Sequence, residues 1–207
     1  MKIKMNVPNM LTMARIVCTP IMVLMFLLPI PTGIGVYIAL GIYVLGCFTD
    51  LLDGKIARKY NLITDFGKFM DPLADKFLIL GAMFAICFSD YIFDYSSVGF
   101  ETTVSVDFIR QLFFWTAIVV VFRELAVTSM RLVVVKSSGA VIAASSLGKI
   151  KTVTQIVAIC AAMLEPVAFP FFYGWLTLIS TVAMLYFTIV SGVNYIKSYW
   201  KFIDTNK

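Results

Sequence analysis

Four aspartates in one short run have the types and spacing to bind metal or accept a proton. The run DLLDGKIARKYNLITDFGKFMDPLADKF opens at Asp50. Asp50 and Asp53 are i and i+3, with Gly54 and Ala57 at i+4 and i+7, offsets that put all four on one helix face. Asp71 and Asp75, at i and i+4, share a face near the start of the next helix. The link at 59–64 is short enough to return that helix antiparallel, so the carboxylates are expected to converge between two helices. Clustered carboxylates repel one another at low dielectric unless cations compensate. A pair of divalent ions, Mg²⁺ or Mn²⁺, suits such oxygen ligands and bridges phosphates. Two metals can neutralise a pyrophosphate and stabilise displacement at phosphorus. Gly54 and Ala57 leave room for a ligand, Gly67 opens the same space from the opposite helix, and Arg58 offers a planar donor for phosphate or a nucleobase. Taken singly, these residues have plainer roles: aspartates at helix ends are caps or solvated charges, as is expected of Asp65, and small residues mark close helix packing. The whole constellation is not explained that way.

The elements that must position these groups are apolar. Of 207 residues, 60% are hydrophobic and 14% charged, and the mean hydropathy is +0.92. Soluble proteins carry roughly 45–50% apolar and about 25% charged residues on similar residue sets. A chain this small cannot bury that much apolar side chain around one water-facing core, so the excess must face lipid. A soluble enzyme, a disordered segment and a disulfide scaffold are excluded. The sequence holds no histidine, which removes Ser-His-Asp and Cys-His catalysis, His-ligated zinc and haem on a proximal His. Cys18, Cys47, Cys87 and Cys160 lie singly in apolar stretches and are expected to be small buried hydrophobes. A metal here must be held by carboxylates.

A bilayer span needs about 20 apolar residues. Six candidates run over about 8–28, 34–53, 69–88, 108–135, 150–169 and 173–196. Pro29, Pro31 and Gly33, and later Pro166 and Pro170, are expected in the turns. No small-residue cleavage site follows the first run, so no removed leader is expected. With the N-terminus inside, that face collects Lys2, Lys4, Lys55, Arg58, Lys59, Lys68, Lys136, Lys149, Lys151, Lys197, Lys201 and Lys207. The other face holds Asp90, Asp94, Glu101, Asp107 and Glu165, with Arg110 as its one basic residue. The expectation is an all-α membrane protein: one domain over 1–207, six transmembrane helices, both termini cytoplasmic, and the site near the cytoplasmic boundary. The net charge of +5 gathers on that face, where it attracts anionic headgroups and phosphorylated substrates. Tyr91, Phe93, Tyr95 and Phe100 read as an interfacial aromatic belt on the other. There is no GxGxxG, P-loop or repeat, and no sign of a nucleic-acid partner.

Asp50-x-x-Asp53-Gly54-x-x-Ala57-Arg58, then eight residues to Gly67, then Asp71 and Asp75 at four-residue steps, resembles the CDP-alcohol phosphatidyltransferase signature without departure. The stretch from Asn6 to Arg15, Arg123-Glu124 with Arg131, and Gly148-Lys149-Ile150-Lys151-Thr152 with Gln155 are similar to bacterial phosphatidylglycerophosphate synthases, so the resemblance spans nearly the whole chain. It implies CDP-diacylglycerol as donor, CMP and a phospholipid as products, and a bacterial plasma-membrane enzyme, expected as a homodimer, facing the cytoplasm. It implies that Asp50, Asp53, Asp71 and Asp75 hold two divalent metals and that Asp75 is the base for the acceptor hydroxyl. Gly54, Ala57, Arg58 and Gly67, with Asn9 and Thr12 nearby, are implied along the cytidine diphosphate.

Arg123, Arg131, Lys149 and Lys151 form a basic surplus on the fourth and fifth helices, suited to the phosphate of sn-glycerol 3-phosphate. Arg15 on the first helix could join them or join a structural Arg–carboxylate pair. Glu124 is not an automatic partner for Arg123, because adjacent side chains on a helix diverge. Two alternatives stand beside this reading. One keeps the chemistry with inositol phosphate, phosphatidylglycerol or serine as acceptor. The other is a small cation transporter, which would give no reason for Gly54, Ala57 and Arg58 at their spacings.

Overall fold

Pro8 stands in the first turn of the first helix, where its missing N–H is no loss. The computed structural model describes residues 6–28, 32–60, 64–89, 92–93, 104–138 and 146–200. They form six α-helices: α1 (Val7–Leu27), α2 (Thr32–Lys59), α3 (Asp65–Phe88), α4 (Val106–Ser138), α5 (Ser146–Ala168) and α6 (Trp175–Trp200). A single 3₁₀ turn, Pro170–Phe172, precedes α6. Pro166 and Gly33, expected in turns, lie inside α5 and α2, and the α5–α6 turn is made by Tyr173 (φ 52°) and Gly174 (φ 88°) instead. Pro29 and Pro31 lie outside the described residues, as do Tyr91, Tyr95 and Phe100. Phe93, expected in an interfacial belt, is buried against Phe113, edge to face with centroids 6.3 Å apart.

Among the described residues, five helical stretches are long and apolar enough to cross a membrane: α1, Gly33–Ala57, Val106–Arg131, α5 and α6. α3 is not among them, because Asp65, Lys68, Asp71, Asp75 and Lys76 crowd its N-terminal half. Its 24 residues reach about 36 Å at 1.5 Å per residue, so composition and not length sets it apart. Large apolar side chains point outward, Phe122 at 70% exposure and Phe69 at 69%, as lipid-facing helices require. Inside, Met22, Tyr43, Met83, Ile86, Phe113, Ile159 and Met184 build the core.

Pairings between helices define their directions. Thr12 bonds Asp71, and a Cβ on Gly81 would lie 2.8 Å from Thr19 Cγ2, so α1 and α3 run in parallel. A Cβ on Gly174 would lie 2.6 Å from Ile109 Cδ1 and one on Gly192 3.2 Å from Arg123 Cγ, so α4 and α6 run in parallel too. Gly46 faces Leu78 while Asp50 and Asp75 share a cavity, which makes α2 and α3 antiparallel as the short link predicts. The consequence is an alternating bundle with two chemically different ends. The starts of α1, α3 and α5 and the ends of α2, α4 and α6 lie together, and the charged residues of the run from Asp50 lie there.

Candidate functional site

The start of α3 is set by Thr64, whose Oγ accepts from the Gly67 N–H at 3.0 Å. This cap satisfies one of the orphan donors of the first turn. The same hydroxyl donates to Asn9 Oδ1 at 3.0 Å and so ties α3 to α1. A Cβ on Gly67 would lie 3.0 Å from Asn9 Oδ1 and 3.2 Å from Thr64 Oγ, so glycine spares a tight contact at this seam. One turn on, Asp71 accepts a 2.7 Å hydrogen bond from Thr12. Asn9, Thr12, Gly67 and Asp71, all predicted site residues, are thus brought together at the α1–α3 seam.

Arg15 crosses to α2. Its two terminal nitrogens donate to Asp50 Oδ1 at 2.7 Å and Asp53 Oδ2 at 2.6 Å. The guanidinium side chain is wholly buried, Asp53 nearly so, and Asp50 is 37% exposed. Of the two roles open to Arg15, the structure therefore supplies the carboxylate pair; both terminal nitrogens are occupied there and not with Arg123, Arg131, Lys149 and Lys151. The offset of three residues between Asp50 and Asp53 lets one planar fork span both carboxylates.

Asp75 differs from the other three. No described residue donates a hydrogen bond to it, and with Asp50 it lines a cavity of about 650 Å³. Arg123, Arg131, Lys149 and Lys151 line the same cavity, so the four predicted basic residues do meet. Lys151 pairs with Glu124, and Arg123 Nη1 also reaches Glu124 Oε1 at 2.9 Å. Adjacency in sequence did not by itself make Glu124 the partner of Arg123, yet the two pair. They do because the long arginine curls back toward a carboxylate that α5 also engages, with its guanidinium 5.3 Å from the Tyr195 ring centroid. Gly54 and Ala57 are half-buried on α2 and do not line this cavity; the Arg58 side chain lies outside the described residues.

Sequence reasoning passed over Thr64, Lys76 and Tyr195, and named Glu124 and Gln155 without assigning them a place in the site. Thr64 had a readable signal, a threonine three residues before glycine at a helix start. Lys76 and Tyr195 become visible only as walls of the cavity. The four cysteines are free.

The donor set fits hard divalent cations by its chemistry: four carboxylates, with Asp75 unengaged, and Cys47 as the one softer group on the cavity wall. Among the described residues, no three acidic or thiol side chains already stand close enough to enclose an ion. Arg15 accounts for this in part, because it holds the Asp50 and Asp53 oxygens itself.

Residues 5–190 match the family described as CDP-alcohol phosphatidyltransferase. The chain is 38% identical to a Bacillus subtilis protein named CDP-diacylglycerol–glycerol-3-phosphate 3-phosphatidyltransferase, over 97% of this chain and 98% of that one. A Rickettsia bellii protein of the same name is 33% identical over 98% and 99%.

Proposed function

Because this chain belongs to the CDP-alcohol phosphatidyltransferase family, we propose that it transfers the phosphatidyl group of CDP-diacylglycerol to sn-glycerol 3-phosphate, giving phosphatidylglycerophosphate and CMP. The observation that carries this reading is the single cavity of about 650 Å³ in which Asp50 and Asp75 face Arg123, Arg131, Lys149 and Lys151. A negatively charged acceptor needs the basic wall, and its nucleophilic hydroxyl needs the carboxylate opposite. A cation transporter would need the carboxylates but has no use for that wall.

Asp50, Asp53, Asp71 and Asp75 would hold two divalent ions, Mg²⁺ or Mn²⁺, whose charge neutralises the donor pyrophosphate. Arg15 keeps Asp50 and Asp53 on one face, and Thr12 orients Asp71. Asn9, Thr12, Gly54, Ala57, Arg58 and Gly67 lie along the cytidine diphosphate. Arg123, Arg131, Lys149 and Lys151 draw the acceptor phosphate in, with Glu124 fixing Lys151 and Arg123. Asp75 takes the proton of the acceptor hydroxyl as its oxygen bonds to the phosphatidyl phosphorus. The bond from that phosphorus to the bridging pyrophosphate oxygen breaks, and CMP leaves with the electron pair.

The setting follows from the same reading: one domain over 1–207, six spans including α3, both termini and the site on the cytoplasmic face of a bacterial plasma membrane, and a homodimer. Donor tails then stay in lipid while the acceptor arrives from water.

The test is CMP release by purified protein from CDP-diacylglycerol, with sn-glycerol 3-phosphate, inositol phosphate, phosphatidylglycerol or serine. Release is expected with glycerol 3-phosphate in Mg²⁺ or Mn²⁺, and none in excess EDTA. Turnover of another acceptor in its place would overturn the acceptor assignment, and full release in EDTA the metal site.

A further inference from the structure

Gln155 on α5 is wholly buried, and neither its amide nitrogen nor its amide oxygen has a hydrogen-bond partner among the described residues. Leaving both ends of a buried amide unpaired is costly, so a polar group other than the described side chains is expected to meet them. Gln155 lines a recess of about 20 Å³ with Asp75, Glu124, Lys151 and Thr152. That volume holds one oxygen-sized group, since a single water needs about 10–15 Å³. The recess and the large cavity share Asp75, Glu124, Lys151 and Thr152 in their lining, so the recess adjoins the basic wall of that cavity.

We propose that this recess receives the non-reacting hydroxyl of the acceptor and that Gln155 reads it, making Gln155 a specificity-determining residue. The inference rests on the transfer to glycerol 3-phosphate proposed above. An amide can donate to a hydroxyl oxygen and accept its proton at once, which matches both unpaired ends of Gln155. In glycerol 3-phosphate the second hydroxyl stands one carbon from the one that attacks. Asp75 lies at the rim of the recess, so an acceptor whose reacting hydroxyl meets Asp75 carries its neighbour toward Gln155. Lys151, on the same rim, remains available to the phosphate. Before the acceptor arrives, a water holds the same place.

The experiment compares kcat/KM for sn-glycerol 3-phosphate and for 3-hydroxypropyl phosphate, which lacks only the second hydroxyl. It uses the full chain with CDP-diacylglycerol and Mg²⁺ or Mn²⁺, as wild type, Gln155→Ala and Gln155→Met. A site that pairs with a substrate hydroxyl rejects the analogue lacking it strongly, so wild type should favour glycerol 3-phosphate by at least about 10². Both variants should bring the ratio to within about tenfold, by losing glycerol 3-phosphate turnover while turnover of the deoxy acceptor stays near wild type. Equal use of both acceptors by wild type would overturn the inference without needing any variant. An unchanged ratio in the variants would also overturn it and leave the recess to a permanent water. If wild type releases no CMP with either acceptor, the transfer reading itself fails, a result distinct from equal use.

Discussion

Asp75 and Glu165 are carboxylates at opposite ends of the same bundle, and their surroundings could hardly differ more. Glu165 is wholly buried near the end of α5 and accepts from the N–H groups of Gly174, Leu176 and Thr177 at 2.8, 3.2 and 2.7 Å, and from the Thr177 hydroxyl at 2.5 Å. Those amides are the unpaired donors of the first turn of α6, where the helix dipole also favours a negative charge. Asp75 accepts from no described residue and opens on the cavity. A carboxylate whose lone pairs are taken by the fold holds the fold together. One whose lone pairs are left free, beside basic groups, is available to a metal or a proton. Counting donors around each acid thus separates architecture from chemistry better than burial or charge alone.

The sharpest way to break this contrast is Asp75→Asn. The amide keeps the shape but takes up no proton at neutral pH, and general-base loss costs about 10²–10⁴ in rate. CMP release should fall by that much while the melting temperature stays near wild type; retention of more than about a tenth of turnover would remove Asp75 as the base. Arg15→Ala strips the shared cation from Asp50 and Asp53. The Asp53 half of that pair is buried and the Asp50 half partly solvated, so destabilisation of about 2–3 kcal/mol is expected. Thermal melts should show millimolar Mn²⁺ recovering more of the loss in this variant than it adds to wild type, by ligand linkage. An equal Mn²⁺ effect would mean that Asp50 and Asp53 do not serve a metal.

Glu165→Ala should behave in the opposite sense to Asp75→Asn. It orphans three amides and should cost about 2 kcal/mol of stability, seen as a lowered melting temperature, while turnover per folded molecule is unchanged. A variant that melts normally but turns over slowly would erase the distinction between the two ends. The smallest effect is expected for Gly67→Ala, whose methyl must displace Asn9 and Thr64 by a few tenths of an ångström. About 1 kcal/mol is expected from so slight an overpacking, with a raised KM for donor as the informative reading. Unchanged KM would confine Gly67 to capping α3.

Much of the site was legible in the sequence because its cause is local. Helical periodicity alone puts Asp50 with Asp53 and Asp71 with Asp75, and a short link returns the second helix antiparallel, which brings Asp50 and Asp75 to one cavity. The basic residues were legible as a surplus, since charge in apolar helices demands a reason. The exact company each one keeps was not. Arg15 precedes Asp50 by 35 residues and Thr12 precedes Asp71 by 59, and nothing in either local stretch announces the pairing. The pairing of Arg123 with Glu124 was left open for the converse reason, because an average rule about adjacent side chains ignores what a third helix supplies.

What the sequence by itself determined is the solvent each helix prefers and the list of groups that chemistry could use, both being properties of residue type and short-range spacing. Which acids are spent on structure and which stay free was decided only by tertiary packing. Glu165 looked like an outer-loop charge and is a buried helix cap, while Gln155, part of the family resemblance but given no role, lines an oxygen-sized recess. The reason is that a hydrogen bond is formed or missing over a few tenths of an ångström, and such distances are set by how whole helices seat against one another.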